Sequence, residues 1–326
     1  MAIILNLHCV HDPFWFENLI YFLKKNYNPV SLPELTSLYN IGNEQNNIFH
    51  LTIDDGDKTF YKVIFPILKK HKIPATIFVS PDSIINQTNF WFQEIIGYDK
   101  LKLLKILSEV IDIDDNDLKK FPLCDIFKCL PINLIWELIN RYQKKFQPGM
   151  KPCQNMSINE LKEVENSGLI TIGAHTMRHP ILANEEIQVS KNEIISSITS
   201  LAEILGHETY CFAYPNGLPV LDFNQREMII LKDLGCKYSF STESGNFNSR
   251  TNLLSIPRYG LNCRESRYYF KTKLLFGAHW NKIMKLRPGN EWINRKALLQ
   301  IIKKKLINSA STDNLSSEIE VNQIEK

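Results

Sequence analysis

The sequence predicts an α/β protein, a mostly parallel sheet or barrel with helices packed outside it. Apolar runs of strand length alternate with segments of helical spacing along most of the chain. That order requires crossovers, which leave successive strands parallel. Several of the apolar runs also end in polar or ionisable residues, as expected where strand ends converge on one functional face.

The elements follow in order. Ile3–His8 is an apolar strand. Phe14–Tyr27 has helical spacing through Phe14, Leu19, Phe22 and Leu23, and stops near Asn26 and Pro29. Ser31 precedes Leu32-Pro33-Glu34 and caps a second short helix, with proline tolerated at its start. Ile48–Ile53 is a strand that closes on Asp54-Asp55-Gly56. Thr59–His71 reads as a helix and Ala75–Val79 as a strand rich in β-branched and aromatic residues. Ser157 and Glu160 form a capping-box pattern for a helix that stops at Gly168, and Leu169–Gly173 is the next strand. Glu185–Leu205 is a long helix with Gly206 as its stop signal. Tyr210–Tyr214 is a strand, Asn224–Leu234 a helix, Lys237–Ser241 a strand and Leu253–Pro257 a last strand.

Residues 83–154 break this rhythm. They hold an aromatic helix near Phe90–Ile96, a leucine-rich helix near Leu101–Val110, an acidic turn Asp112–Asp117 and a helix near Leu134–Phe146. They read as an all-helical insertion suited to walling one side of a substrate site. The expected organisation is therefore a barrel from 1–82 and 155–262, the insertion 83–154, a basic helical region 263–308 and a disordered tail 309–326.

Composition bounds the function. With 326 residues, 44% hydrophobic and 22% charged, the chain has the make-up of an ordinary soluble globular protein. Its seven cysteines are scattered without a CxxC pair, which suggests free thiols in a reducing compartment. Met1–His8 reads as a buried strand rather than a signal peptide, and no apolar run approaches the ~20 residues of a membrane span. A cytoplasmic location is expected. The net charge of +3 is uneven: residues 264–305 hold twelve Lys or Arg against Glu265 and Glu291, so that segment is +10 and the remainder −7. Ala297–Ile302 running into Lys303–Lys305 could rest on an anionic membrane face or form a solvated basic helix. No nucleic-acid partner is expected.

The chemistry concentrates in two stretches, Thr52-Ile53-Asp54-Asp55-Gly56 and His175-Thr176-Met177-Arg178-His179-Pro180. Each follows a predicted strand, so in a parallel barrel both reach the same face. His8, Tyr214 and Arg258 close other strands. Catalytic zinc sites take three protein ligands and keep one position open. One aspartate and two histidines meet that count, leaving a second carboxylate beside the metal to face an attacking water. The i, i+4 spacing puts His175 and His179 on one side of a helical turn that Pro180 ends. His50, His71 and His207 have no partner motif and read as surface residues, and His11 as a loop residue.

Thr-x-Asp-Asp-Gly followed by His-Thr-x-x-His-Pro resembles the polysaccharide deacetylase family, the NodB-homology or carbohydrate esterase family 4 domain, with Ile53 in place of the usual Phe. Ile73–Val79 is similar to the family's IPATFFV strand. Phe212-Ala213-Tyr214-Pro215-Asn216-Gly217 resembles the FAYPxG form of its third motif. The resemblance spans about residues 1–262 and implies an irregular (β/α) barrel with a helical insertion. It implies Asp54 as general base, Asp55, His175 and His179 as metal ligands, and the Tyr214 backbone N–H as a partner for the oxyanion. The family's usual base-orienting Arg is replaced by Ala213, and Arg258 resembles a later Arg of the FAYPxG subgroup that does this work. The family's late Leu-x-His is missing. His279 lies in the basic segment and is a poor substitute. His8, in Leu7-His8-Cys9-Val10, resembles the N-terminal YHxV of permuted deacetylases, where the His protonates the leaving amine.

The expected function is therefore metal-dependent hydrolysis of an N-acyl group, foremost N-acetyl, from a sugar or glycan precursor that could be lipid-linked, with a metal-bound water as nucleophile. Zinc is the first expectation, and Co²⁺, Ni²⁺ or Mn²⁺ suit the same ligands. Alternatives are a deformylase or other amide hydrolase on the same barrel, and a non-catalytic glycan-binding protein. Degenerate relatives of that last kind lose a ligand or the base, and this chain has all four residues.

Overall fold

A computed structural model describes residues 2–40, 47–262, 272 and 289–302. Most of the basic segment 264–305, His279 and the tail 309–326 lie outside the described residues. In chain order the elements are β1 (Ala2–Leu7), α1 (Pro13–Asn26), β2 (Asn28–Pro29), α2 (Leu32–Asn40) and β3 (Ile48–Ile53). After a π-helical turn, Phe60–Ile64, come α3 (Phe65–His71), β4 (Ala75–Val79) and α4 (Pro81–Ile85). Five helices follow: α5 (Trp91–Glu94), α6 (Lys100–Ile111), α7 (Asp115–Leu118), α8 (Leu123–Phe127) and α9 (Ile132–Phe146). The chain continues with α10 (Ile158–Asn166), β5 (Ile170–Ala174), a 3₁₀ turn at Leu182–Asn184, α11 (Ile187–Leu205) and β6 (Cys211–Ala213). It ends with α12 (Gln225–Asp233), β7 (Tyr238–Phe240), β8 (Tyr259–Gly260) and a helix over 290–302, α13.

Local chemistry accounts for many of the boundaries. Asp12 Oδ1 accepts from the amides of Phe14 and Trp15 at the start of α1, with Pro13 in its first turn. Ser31 with Glu34, Ser157 with Glu160 and Asn224 with Glu227 form reciprocal caps on α2, α10 and α12. The expected single helix Thr59–His71 is split. Phe65 N–H reaches back five residues to the Phe60 carbonyl. Pro66 has no N–H and its ring crowds the turn before it, so the helix widens there.

The chain divides into two compact units: Met1–Phe90 with Pro152–Leu286, and Trp91–Lys151 with Arg287–Lys326. The first is built on a sheet of order β7-β6-β5-β4-β3-β1-β8, with β2 also pairing β3, and every pairing is parallel. The segment before β8 closes it. Ile256 bridges in parallel to Phe240 on β7, and a few residues later Tyr259 and Gly260 pair with Leu5 and Asn6 on β1. The result is an irregular (β/α) barrel. Alternate residues divide between two faces. Ile3, Leu5, Leu51, Ile53, Ile77 and Val79 pack outward with Phe16 and Ile20 of α1, Leu161 of α10 and Ile194 of α11. Ile4, Phe78, Cys211, Ala213, Phe240 and Ile256 fill the inside. His50 also lies inside, fully buried, with Nδ1 against the Val30 carbonyl and Nε2 against Thr76 Oγ1. The surface reading of His50 is thus corrected: it is an even-numbered residue of β3, on the same face as Thr52.

The second unit is helical. Leu103, Leu107, Phe127, Ile135, Leu138 and Ile139 form its core, together with Leu298 and Ile302 of α13. Two sequence expectations change here. Pro81–Ile85 belongs with the barrel, whose core includes Ile84, so the helical unit begins at Trp91 rather than residue 83. The apolar side of 297–302 is also already in use. Leu298 and Ile302 are buried in this core, so they present no open face to a membrane. No described helix is long and apolar enough to cross a membrane.

Candidate active site

The residues named from sequence meet at the C-terminal ends of β3, β5 and β1. Asp54 N–H makes the last ladder-like bond, to the Leu7 carbonyl. Asp55 then turns to φ +77 and Gly56 to φ +72, which swings the two adjacent carboxylates apart. A Cβ on Gly56 would lie 2.9 Å from Val79 Cγ1, in a backbone region that side-chain-bearing residues rarely adopt. This turn therefore needs glycine.

Asp54 is buried against Arg258, whose Nη1 and Nη2 donate to its two oxygens at 2.8 and 2.9 Å. This is a bidentate pair. Arg258 is fully buried and is itself fixed from three sides. Nε donates to the Ser241 carbonyl at 2.9 Å, and Nη1 also reaches Thr52 Oγ1 and Asn6 Oδ1. Its guanidinium carbon lies 5.7 Å from the ring centres of both Phe78 and Phe240. Gly173 makes room for Phe78, since a Cβ there would sit 2.6 Å from the ring. Burial by itself would raise the Asp54 carboxyl. The charges of Arg258, His175 and His8 outweigh it and hold the carboxyl below its ordinary value.

Asp55, His175 and His179 form a second group. Asp55 Oδ1 lies 3.4 Å from His175 Nε2 and 3.3 Å from His179 Nε2. One donor atom from each residue lies within 4.8 Å of the others. Asp55 Oδ1 is buried and accepts no hydrogen bond, as suits an oxygen reserved for a cation. The His175 Nδ1 is 2.7 Å from the Ala213 carbonyl. That bond places the proton on Nδ1 and leaves the Nε2 lone pair facing Asp55. Burial raises the Asp55 carboxyl, but the two imidazoles and His8 bring it well below the carboxylate range. Burial presses the His175 ring down, yet Asp55 and Asp54 raise it above its usual value. For His179, burial wins and the ring stays below. Two imidazoles and one carboxylate, converging and buried, fit a divalent ion.

The histidines do not share a helical turn as the spacing suggested. Residues 175–180 form an irregular loop, with Thr176 at φ +64 and His179 at φ +60. Left-handed residues, rather than helical periodicity, bring the rings together. The loop leans on three supports. Ser80 Oγ donates to the His175 carbonyl, Thr176 Oγ1 accepts from His179 N–H, and Glu193 of α11 accepts from the amides of Met177 and Arg178. Glu193 had a signal in the sequence: it falls on the buried stripe Ser190, Glu193, Ile194, Ser197, Leu201, where an acid needs a partner.

His8 is exposed just past the end of β1, near enough to act electrostatically on both carboxylates. Tyr214 departs from expectation. Its N–H donates to the Phe240 carbonyl at 3.1 Å, its hydroxyl to the Leu254 carbonyl, and its ring stacks on Phe223 at 3.6 Å. The amide is committed to the β6–β7 pairing, so the oxyanion role given to it is not one this geometry provides. Tyr214 supports the wall beneath the site.

A barrel with an ion-paired carboxylate and a three-ligand cluster at the C-terminal ends of its strands has the layout of a hydrolase. The chain belongs to the polysaccharide deacetylase family, whose match spans residues 42–239, more than half its length. Members of this family are carbohydrate deacetylases, hydrolases of carbon–nitrogen bonds. The chain is 24% identical over 281 residues to the poly-β-1,6-N-acetyl-D-glucosamine N-deacetylase of Staphylococcus aureus (strain MSSA476), covering 79% of this chain and 77% of that relative. Among solved structures it is similar in fold to the Streptococcus pyogenes deacetylase PplD in complex with acetate. There the TM-score is 0.56 at 20% identity, over 83% of this chain and 97% of the other. It is also similar to IcaB from Ammonifex degensii, with a TM-score of 0.55 at 18% identity, over 80% and 91%.

Proposed function

We propose that this chain removes N-acetyl groups from N-acetylhexosamine units of a glycan or glycan precursor, with a divalent ion, foremost zinc, on Asp55, His175 and His179. The observation that carries the reading is the buried Asp55 oxygen facing two imidazoles, beside a carboxylate clamped by Arg258. The N-acetylglucosamine polymer named for the staphylococcal relative supports the choice of sugar.

Each residue has a defined task. Asp54, kept ionised by Arg258, takes a proton from the attacking water. Asp55, His175 and His179 would hold the ion, and the Ala213 carbonyl fixes the His175 tautomer. When bound, the ion polarises the acyl carbonyl and makes water a better nucleophile. His8, at the rim, gives a proton to the amine as the C–N bond breaks. The products are acetate and a free amino sugar.

The test is acetate release from a panel of N-acetylated oligosaccharides, polymers, nucleotide sugars and lipid-linked sugars, with and without a chelator. Acetate release that the chelator abolishes and metal restores is the expected result. Formate release would reassign the enzyme as a deformylase. Binding of the glycan without any turnover would make it a glycan-binding protein.

A further inference from the structure

The five-residue span from His175 to His179 is anchored at one end. His175 N–H bonds to the Val79 carbonyl and the Ser80 hydroxyl holds the His175 carbonyl. The other end carries His179 at φ +60 after Thr176 at φ +64, a path that no regular element maintains. Between them, the Met177 and Arg178 amides both point at Glu193 Oε2, at 3.1 and 2.9 Å. Arg178 Nε donates to Glu193 Oε1 at 2.7 Å. Glu193 is itself buried on the core side of α11. A buried carboxylate is costly unless its oxygens are satisfied, and charge-assisted bonds to two consecutive amides do this while fixing those peptides in place.

We propose that Glu193 is a positioning residue for the ion-binding site, an inference that rests on the metal reading above. Its carboxylate holds the middle of the loop so that the His179 ring faces Asp55. Glu193 holds the amides of Met177 and Arg178 and the Arg178 guanidinium, so it acts through the loop.

The test uses full-length wild type, E193A and E193Q, stripped with chelator and titrated with Co²⁺. Affinity is read by calorimetry, ligand geometry by the visible d–d spectrum, and folding by circular dichroism. E193A is expected to bind Co²⁺ about 10–100-fold more weakly, the usual cost of losing a residue that orients ligands, with a changed d–d spectrum and an unchanged far-ultraviolet spectrum. If E193A does not fold, E193Q decides. It keeps an acceptor for the two amides but turns no acceptor to Arg178, and its affinity should fall by at least about threefold. A folded variant that binds Co²⁺ within about twofold of wild type, with the same d–d spectrum, overturns the proposal alone. A wild type that binds no Co²⁺ overturns it together with the metal reading.

Discussion

Asp54 and Arg258 illustrate how one pair can serve both chemistry and stability. As the proposed base, Asp54 must be charged at neutral pH while buried, and the bidentate guanidinium favours that charge. Asp54→Asn keeps the shape but cannot accept a proton. Turnover should fall on the order of 10²–10⁴-fold, the span of general-base catalysis, with metal content by elemental analysis unchanged. Activity near wild type in that variant would end the assignment. His8 stands apart because it is exposed. His8→Ala should lose rate over a similar ~10²–10⁴-fold range and its Tm should barely move, since exposed substitutions shift stability by roughly 0.5 kcal/mol or less. An unchanged rate would move the general acid elsewhere. The convergence of Asp54, Asp55, His175 and His179 was legible in the sequence because their motifs end apolar runs. The role of Tyr214 was misjudged because sequence shows which amide lies near a strand end, not which carbonyl already holds it.

At the level of elements, most strands were readable and the turns were not; the strand expected over Leu253–Pro257 is instead a turn with a single bridge at Ile256, and the strand there is Tyr259–Gly260. Ile3–His8 and Ala75–Val79 were found within a residue or two because apolar, β-branched runs bury both faces in a parallel sheet. The two-residue β2 carries too little pattern to detect. The π turn before α3 depends on where Pro66 falls relative to Phe60, and the His175–His179 loop depends on a carboxylate supplied by the next helix. His50 shows the same limit within a strand. A histidine in an apolar run could face either way, and its fate is decided by Thr76 and the Val30 carbonyl across the barrel. Burial lowers its pKa from 6.5 to about 4. The folded state holds His50 neutral while the unfolded chain takes a proton below pH 6.5, so this stability is complete above 6.5 and is lost as pH falls towards 4. Wild type should lose roughly 3 kcal/mol more unfolding free energy than His50→Gln between those limits, about 1.4 kcal/mol per pKa unit. Parallel denaturation curves at pH 7 and pH 4.5 measure it, and equal pH slopes would show that His50 is not the titrating group.

For the whole molecule, an ion on the proposed ligands would couple its binding to barrel stability, because Asp55 follows β3, His175 and His179 follow β5, and the three meet only in the folded state. At a free ion concentration 1,000 times Kd, binding should add about 4 kcal/mol. Calorimetry of the barrel transition should show a higher Tm with Zn²⁺ than with chelator, and Asp55→Ala should lose that difference. A wild-type Tm indifferent to chelator would argue against a bound ion. The two-part organisation was only partly readable. The helical interruption announced itself by breaking the strand–helix alternation, whereas the burial of Leu298 and Ile302 among helices about 160 residues earlier is a long-range pairing without a local mark.

The closing segment of the barrel has a consequence for how the protein is made. Asp54 emerges early in synthesis, but the guanidinium that neutralises it lies 204 residues further on, in the stretch that joins β7 to β1. Until Arg258 docks, Asp54 lacks the counter-charge that outweighs its burial. That acid would favour its protonated, inactive form. Closing the barrel and giving Asp54 its counter-charge are thus a single event, and a chain truncated before residue 258 should lack turnover however well its earlier strands have formed.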